Sequence, residues 1–248
     1  MKQRACLILA AGQGTRMKSD LAKVLHQILG KPLVRYVVES ARRAGLERII
    51  VVVGHQAEQV KQALAGTGVE FALQAEQKGT GHAVMVAEPL VGPVDGDLLV
   101  LYGDVPLIRP ATIKSLLQRH RDEGNACTML TTVIDDPGAY GRVVRDAQGR
   151  VVRIVESKDA TPEEKAIKEI NPAIYCFDNA ALQRALKGIK PNNQQGEYYL
   201  TDVIAIFAAQ RLPVAAMVVD DSREVLGINT PEELAGCERY LRADSPAR

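Results

Sequence analysis

Short apolar, β-branched runs alternate with amphipathic stretches along most of this 248-residue chain. The apolar runs predict strands at residues 5–10, 49–53, 98–102, 127–134 and 214–219. Between them, apolar residues at helical spacing predict helices at 32–44, 57–64 and 111–122, each ending within two residues of a glycine. Because this alternation is typical of βαβ units, the sequence predicts an α/β fold with a Rossmann-like, doubly wound, mostly parallel sheet.

The pattern changes after residue 140. Residues 142–145 and 151–155 flank the turn sequence Asp-Ala-Gln-Gly, which predicts a β-hairpin lobe that makes the sheet mixed. Two Thr-Pro-Glu-Glu segments, at 161–164 and 230–233, carry the residues of a capping box and predict helix starts. We therefore expect a main domain at 1–229, followed by a C-terminal helix and tail at 230–248.

Charge and cysteine content exclude several classes of function. Lys and Arg number 31 and Asp and Glu number 30, so a net charge of +1 provides no general field for nucleic acid or an anionic membrane. The longest apolar runs are far shorter than the roughly 20 residues of a membrane-spanning helix. The four cysteines are widely separated, which predicts reduced, buried thiols and no zinc site. We expect a cytoplasmic protein that binds phosphate at a local site.

A glycine-containing segment, Leu-Ala-Ala-Gly-Gln-Gly-Thr-Arg-Met at 9–17, follows the first predicted strand. Glycines let backbone N–H groups approach phosphate oxygens, and Arg16 and Lys23 supply positive charge. The segment is not a Walker loop, which ends in Gly-Lys-Ser/Thr. It is not a dinucleotide fingerprint either, because Met17 stands where the third glycine is required. These residues alone leave a phosphate loop and a plain surface turn both open.

Asp104 follows the predicted strand at 98–102. A carboxylate in this position lies at the carboxyl edge of the sheet, where open α/β folds bind ligands. Its oxygens suit a hard cation such as Mg²⁺. Taken alone, Asp104 is equally compatible with a turn-forming role before Val-Pro.

Further motifs follow in order along nearly the whole chain. They are Lys-Val-Leu-His at 23–26, Gln74 with Gly-Thr-Gly-His-Ala at 79–83, Tyr-Gly-Asp-Val-Pro-Leu at 102–107, Tyr-Gly-Arg at 140–142, Ile-Val-Glu at 154–156, Glu-Ile-Asn at 169–171, Glu-Tyr-Tyr-Leu-Thr-Asp at 197–202 and Gly-Ile-Asn at 227–229. With the 9–17 segment, this set resembles the sugar-1-phosphate nucleotidyltransferases, and among them the pyrophosphorylase domains of the bacterial N-acetylglucosamine-1-phosphate uridylyltransferases. Two positions depart from that family pattern: Ala22 replaces the usual proline, and Ala173 replaces a glycine found in many relatives.

The resemblance implies the transfer of a uridylyl group from UTP to N-acetylglucosamine 1-phosphate, giving UDP-N-acetylglucosamine and pyrophosphate with Mg²⁺ as cofactor. A phosphate monoester has a second pKa of about 6, so the attacking oxygen is largely ionised at neutral pH and needs no general base. Positioning and charge neutralisation then carry most of an in-line displacement. The sequence agrees, because it has no recognisable nucleophile motif. We expect its four histidines to be structural.

The resemblance also implies roles for individual residues. Arg16, Lys23 and Asp104 would be catalytic, and Asp104 with Asn229 would hold Mg²⁺. The nucleotide-binding residues would be Leu9, Ala10, Ala11, Gly12, Gly14, Lys23, Gln74, Gly79 and Thr80. The sugar-phosphate site would comprise Tyr102, Gly103, Gly141, Glu156, Asn171, Tyr199, Thr201 and Asn229. The carboxamide of Gln74 offers a donor and an acceptor to the uracil edge. Thr201 has an alternative role, as the cap of a helix running through 203–209.

Two other functions remain open at this point. One is transfer to another sugar phosphate or from another base, such as glucose 1-phosphate or dTTP. The other is a non-catalytic UDP-sugar-binding subunit, which would not require the full charge-handling set of Arg16, Lys23, Asp104 and Asn229. The bifunctional relatives continue into a β-helix acetyltransferase domain. Residues 1–248 contain no hexapeptide repeats, so we expect no such domain here and, at most, a separate acetyltransferase partner.

Overall fold

The computed structural model describes residues 3–92 and 96–244. The strands are β1 (Gln3–Ala10), β2 (Gln27–Ile28), β3 (Lys31–Pro32), β4 (Arg48–Val53), β5 (Glu70–Leu73), β6 (Gly96–Tyr102), β7 (Cys127–Val133), β8 (Gly141–Arg145), β9 (Val151–Val155), β10 (Glu169–Asn171), β11 (Tyr175–Asp178) and β12 (Val214–Val218). The α-helices are α1 (Leu33–Arg43), α2 (Ala57–Ala63), α3 (Thr80–Val91), α4 (Pro110–Asp122), α5 (Pro162–Lys165), α6 (Asn179–Leu186), α7 (Asp202–Ala209) and α8 (Pro231–Asp244). Short 3₁₀ helices lie at Thr15–Met17, Lys23–Leu25 and Ser222–Glu224.

A ten-stranded mixed sheet forms the centre of the described chain, in the order β5-β4-β1-β6-β11-β7-β10-β8-β9, with β12 also paired to β7. Strands β5, β4, β1 and β6 are parallel neighbours. Strands β7, β12 and β8 run in the same direction as these four strands. Strands β11, β10 and β9 run in the opposite direction. The prediction of an α/β fold with a mostly parallel sheet and an added β8–β9 hairpin is confirmed.

Strand β1 is apolar from Ala5 to its end at Ala10 because helices cover both faces of the sheet. Leu7 and Leu9 belong to a buried cluster with residues of α3, α6 and α7. Cys6 and Ile8 point to the opposite face and pack with residues of α1, α2 and α4. The near-continuous apolar runs that predicted the strands are therefore a direct result of burial on both sides.

The structure contains elements that the periodicity did not predict. Strand β11 has only four residues, yet it lies between β6 and β7 and pairs antiparallel with both. Helix α3 contains Pro89 and has no clear polar face, because it packs against β1, β4 and β5. Both predicted capping boxes are present: Thr161 and Glu164 exchange hydrogen bonds of 3.2 and 2.9 Å, and Thr230 and Glu233 exchange two of 3.2 Å.

All four cysteines are buried free thiols, as predicted. Helix α8 packs through Cys237 against Ile28, Leu33 and Ile228. The last residues of the predicted tail, 245–248, lie outside the described residues. Within residues 3–92 and 96–244, no helix has both the length and the apolar composition needed to cross a bilayer.

Candidate active site

The carboxyl ends of β5, β4, β1 and β6 meet at one edge of the sheet, and the predicted site residues follow these strands. Gln74 comes directly after β5, Ala11 and Gly12 follow β1, and Asp104 lies two residues after β6. Two adjoining cavities, of about 260 and 250 Å³, open at this edge.

The first cavity contains the predicted nucleotide-binding residues, with Gly14 as the exception. Its lining residues are Leu9, Ala10, Ala11, Gly12, Lys23, Val24, Gln74, Gln77, Gly79, Thr80, Ala83, Tyr102, Asp104 and Glu197. Sequence reasoning did not place Val24, Gln77 or Ala83 in the site.

The second cavity contains most of the predicted sugar-phosphate residues. Its lining residues are Arg16, Lys23, Thr80, Tyr102, Asp104, Val105, Ala139, Tyr140, Gly141, Glu156, Asn171, Pro172, Ala173, Thr201, Gly227 and Asn229. Lys23, Thr80, Tyr102 and Asp104 line both cavities. A ligand that extends from one cavity into the other therefore passes Lys23 and Asp104.

Three predicted site residues line neither cavity. Gly14 has φ +77, and a Cβ on it would lie 2.4 Å from Cβ of Lys23, so it supports the lysine from behind. Gly103 is packed among core residues, and its N–H donates a 2.9 Å hydrogen bond to the carbonyl of Leu9. The hydroxyl of Tyr199 donates to Asp159 over 3.2 Å instead of facing the cavity.

Two cations converge on two oxygen-bearing side chains at the junction of the cavities. Nζ of Lys23 forms an ion pair with Oδ2 of Asp104. The same ammonium donates to Oδ1 of Asn229 over 3.0 Å, and Arg16 donates to that oxygen over 2.8 Å. The side chain of Asp104 is only 12% exposed, so its charge is balanced locally by Lys23 and weakly screened by solvent.

The donor set at the junction fits a hard divalent cation. It offers the carboxylate of Asp104 and the amide oxygen of Asn229, and Mg²⁺ prefers oxygen ligands and keeps bound waters or substrate phosphates. Gly227 keeps the space beside the carboxylate open, since a Cβ there would lie 3.1 Å from Oδ2 of Asp104. Among residues 3–92 and 96–244 there is no cluster of three or more His, Cys, Asp or Glu that could hold a metal. Substrate oxygens would have to complete the coordination.

Tyr140 supports this junction through a hydrogen bond to Gly227, which lies 87 residues away in the sequence. Its hydroxyl oxygen accepts a 2.9 Å hydrogen bond from the N–H of Gly227. The next residue, Ile228, donates its N–H to the carbonyl of Asp104 over 2.9 Å. Burial raises the pKa of the Tyr140 phenol to about 12, so the hydroxyl stays neutral at physiological pH. Tyr140 belongs to the Tyr-Gly-Arg motif at 140–142, but the motif alone did not indicate its role in the site.

The far wall of the second cavity contains Glu156 and Thr201. Burial raises the pKa of the Glu156 carboxyl, and a 3.0 Å hydrogen bond from Oγ1 of Thr201 to Oε1 partly offsets that effect. Thr201 precedes α7 but makes no side-chain capping bond. Thr201 thus occupies the N-cap position of α7, as the alternative prediction has it, but its hydroxyl bonds to Glu156 at the cavity and not to the backbone of the helix.

Asn171 is held rigidly against the same cavity. Its Nδ2 donates to Oη of Tyr175 over 2.6 Å, and its Oδ1 accepts from the N–H of Ala173 over 3.0 Å. Ala173 has φ +66, a left-handed conformation that favours glycine. A glycine at this position would adopt the same conformation without strain.

The other departure from the family pattern, Ala22, also has a structural counterpart. Its N–H donates a 2.8 Å hydrogen bond to Oε1 of Gln56. A proline could not make this bond, because it lacks the N–H. Gln56 thus anchors the loop that carries Lys23.

Gln74 lines the first cavity, and only 3% of its surface is exposed. Its Nε2 donates to the carbonyl of Gly79 over 3.1 Å. Gly79 has φ +100, and a Cβ on it would lie 2.6 Å from the carbonyl oxygen of Tyr198, so no other residue fits without displacing that segment.

No histidine of the described chain lines either cavity.

Known proteins resemble this chain in sequence over nearly its whole length. The sequence profile described as Nucleotidyl transferase matches residues 5–241. The protein named Bifunctional protein GlmU from Pelotomaculum thermopropionicum is 52% identical over 96% of this chain and 52% of its own length. The protein of the same name from Geobacter metallireducens is 49% identical over 98% of this chain and 51% of its own length. The chain thus spans about half the length of the curated relatives it matches.

A crystal structure of UDP-glucose pyrophosphorylase complexed with UDP-glucose aligns with a TM-score of 0.78. The alignment covers 99% of this chain and 100% of that one, at 19% sequence identity. At this level of identity, the similarity shows that the two chains share a fold.

Proposed function

The chain belongs to the nucleotidyl transferase family, and we propose that it transfers a uridylyl group from UTP to N-acetylglucosamine 1-phosphate. The products would be UDP-N-acetylglucosamine and pyrophosphate. The observation that carries this proposal is the pair of adjoining cavities that share Lys23 and Asp104. A transfer between two bound substrates needs such a junction, where the acceptor oxygen can reach the α-phosphorus.

The first cavity fits the nucleotide. The backbone of residues 9–12 lies at the carboxyl end of β1, where N–H groups can meet phosphate oxygens. Gln74 lies beyond them, and its Nε2 already faces the Gly79 carbonyl and Nδ1 of His82, both at 3.1 Å. The carboxamide therefore presents its Oε1 to the base as an acceptor, and not the donor–acceptor pair expected from the sequence. Among the described residues, the only acidic side chains that line this cavity are Asp104 and Glu197.

The second cavity fits a phosphorylated sugar. Glu156 has one oxygen bonded to Thr201, which leaves Oε2 free to accept from a sugar hydroxyl. Asn171 keeps one Nδ2 proton and one lone pair for hydroxyl or acetamido groups. The short spacing between Arg16 and Lys23, together with the 197–202 segment, favours the acetamido sugar over glucose 1-phosphate.

The chemistry requires positive charge more than proton transfer. The acceptor phosphate is already ionised at neutral pH, which agrees with the lack of any histidine lining the described cavities. Lys23 and Arg16 would orient the two phosphates and balance the charge that develops during an in-line displacement. Asp104 and Asn229 would hold Mg²⁺, which would act as a Lewis acid on substrate phosphate oxygens.

The experiment that tests this proposal is pyrophosphate release with Mg²⁺, pairing each of UTP, dTTP, CTP, ATP and GTP with N-acetylglucosamine 1-phosphate or glucose 1-phosphate. We expect turnover mainly with UTP and the acetamido sugar, and its loss with a chelator. Preference for another pair would contradict the proposed substrates. Folded protein that is silent with every pair would contradict catalysis and favour a UDP-sugar-binding subunit.

A further inference from the structure

His82 touches the proposed base site without lining the cavity. It lies in the first turn of α3, and its Nδ1 is 3.1 Å from Nε2 of Gln74. The same Nε2 is 3.1 Å from the carbonyl oxygen of Gly79. Nε2 of Gln74 thus faces two atoms that can accept hydrogen bonds, and it has one proton to donate to each.

The orientation of the Gln74 amide follows from the chemistry of these neighbours. The Gly79 carbonyl can only accept, and it is fixed in place because it also receives the N–H of Ala83 at the start of α3 over 3.1 Å. The atom that faces it must therefore be Nε2 and not Oε1. The second Nε2 proton then points to Nδ1 of His82, which accepts when the ring is neutral and protonated on Nε2.

We propose that His82 is a specificity-determining positioning residue, which fixes the Gln74 amide so that only its Oε1 remains free for the base. This inference rests on the proposed function, because it assigns the first cavity to a pyrimidine nucleotide. Uracil presents an N3–H donor to Oε1, whereas cytosine presents a lone pair at N3. A Gln74 amide rotated by half a turn would suit cytosine, but its Oε1 would then face two acceptors, the Gly79 carbonyl and His82. His82 thereby helps to exclude cytosine, and it has no effect on the choice between uracil and thymine, which share this edge.

Two substitutions of similar size separate this role from simple packing. His82→Asn keeps an acceptor oxygen near the position of Nδ1, and His82→Leu removes it. We expect His82→Leu to raise KM for UTP about tenfold and to raise the CTP-to-UTP ratio of kcat/KM by about the same factor, which is the usual effect of losing one such hydrogen bond. KM for the sugar phosphate should not change, and His82→Asn should restore discrimination. If the wild-type protein turns over UTP and His82→Leu has the same CTP-to-UTP ratio of kcat/KM as the wild type, the inference is overturned and the proposed function stands.

A measurement without turnover separates the two proposals. In the side-chain ¹⁵N spectrum of the ligand-free protein, we expect His82 protonated on Nε2, with a hydrogen-bond coupling between Nδ1 and the amide of Gln74. A His82 ring protonated on Nδ1 would overturn the inference whether or not the protein uses UTP. If the wild type shows no UTP turnover, the proposed function fails, and the assignment of His82 to base selection fails with it even where the tautomer is as expected.

Discussion

The ammonium of Lys23 pairs with the carboxylate of Asp104 at the point where the two cavities meet. Gly14 packs behind the lysine, and Asn229 accepts a second hydrogen bond from it. The lysine is thus held in place before any substrate binds. Such preorganised charge costs little reorganisation during the reaction, which is why it is effective in catalysis.

Replacing Lys23 with methionine should reduce kcat by roughly 10²- to 10³-fold, because the transition state loses a preorganised charge. The protein should remain folded, since methionine retains most of the aliphatic length. The matched control is Lys18→Met, which changes an exposed lysine in the same loop and should leave turnover unchanged. Steady-state pyrophosphate release and a thermal melt check both. Equal losses in the two variants would contradict a specific role for Lys23.

Tyr140→Phe removes the acceptor for the N–H of Gly227 and should lower kcat by roughly 10- to 100-fold, because Asn229 and the segment against Asp104 would shift. The stability cost should be about 1 kcal/mol. Tyr36→Phe is a fitting comparison: it removes a 2.8 Å hydrogen bond to the carbonyl of Ile28, outside both cavities. It should cost similar stability without affecting kcat. Wild-type kcat in Tyr140→Phe would show that this bond does not position the site.

Ala173→Gly should stabilise the protein by about 0.5–1 kcal/mol. The left-handed conformation at Ala173 costs an L-residue about 1–2 kcal/mol, and the greater unfolded-state freedom of glycine offsets part of the gain. Ala205→Gly, on the exposed face of α7, should instead destabilise by about 1 kcal/mol. Urea unfolding of both variants measures the difference. Destabilisation at both positions would contradict the assigned backbone strain.

Glu156→Gln should change stability in a pH-dependent way. Burial raises the pKa of Glu156 above its ordinary value of 4.5, so the folded state holds this proton more tightly than the unfolded state. Stability is therefore lost as pH rises from 4.5 through the raised pKa, and the uncharged glutamine should raise Tm at neutral pH but not below pH 4.5. KM for the sugar phosphate should rise by roughly tenfold, since a carboxylate acceptor is lost.

Glu169→Gln provides the opposite case. Although burial opposes it, the two hydrogen bonds and the positive charge of Arg145 hold the pKa of Glu169 below its ordinary value. The stability that this lowered pKa provides is fully present at pH values above 4.5, and it is lost as the pH falls through the lowered pKa. Glu169→Gln should therefore lower Tm at neutral pH. Tm changes of the same sign in the two variants would contradict the assigned electrostatics.

Much of the fold was accessible from sequence because strands covered on both faces are apolar along their length. The short strand β11 was missed, since four residues carry no recognisable period. Helix α3 was missed for a different reason: it lies against three strands and contains Pro89, so its pattern is not amphipathic.

The position of Asp104 was predictable because it follows a recognisable strand of the parallel sheet. Gln74 was proposed only from the family resemblance, since the short strand β5 before it was not predicted. Tyr140 was not predictable, because its function depends on a hydrogen bond to Gly227 that only the folded chain creates. The position of Tyr199, which lines neither cavity, was not predictable for a similar reason. Its hydroxyl bonds to Asp159 on a loop 40 residues away, and no local pattern indicates that partner.

The most direct test of the whole account is a crystal structure of the protein with UDP-N-acetylglucosamine and Mg²⁺. We expect the diphosphate beside Lys23 and Asp104, the uracil against Gln74 in the first cavity, and the acetamido sugar against Glu156 and Asn171 in the second. A diphosphate bound away from Lys23 and Asp104, or a nucleotide outside the first cavity, would contradict the assignment of the reaction to the junction of the two cavities.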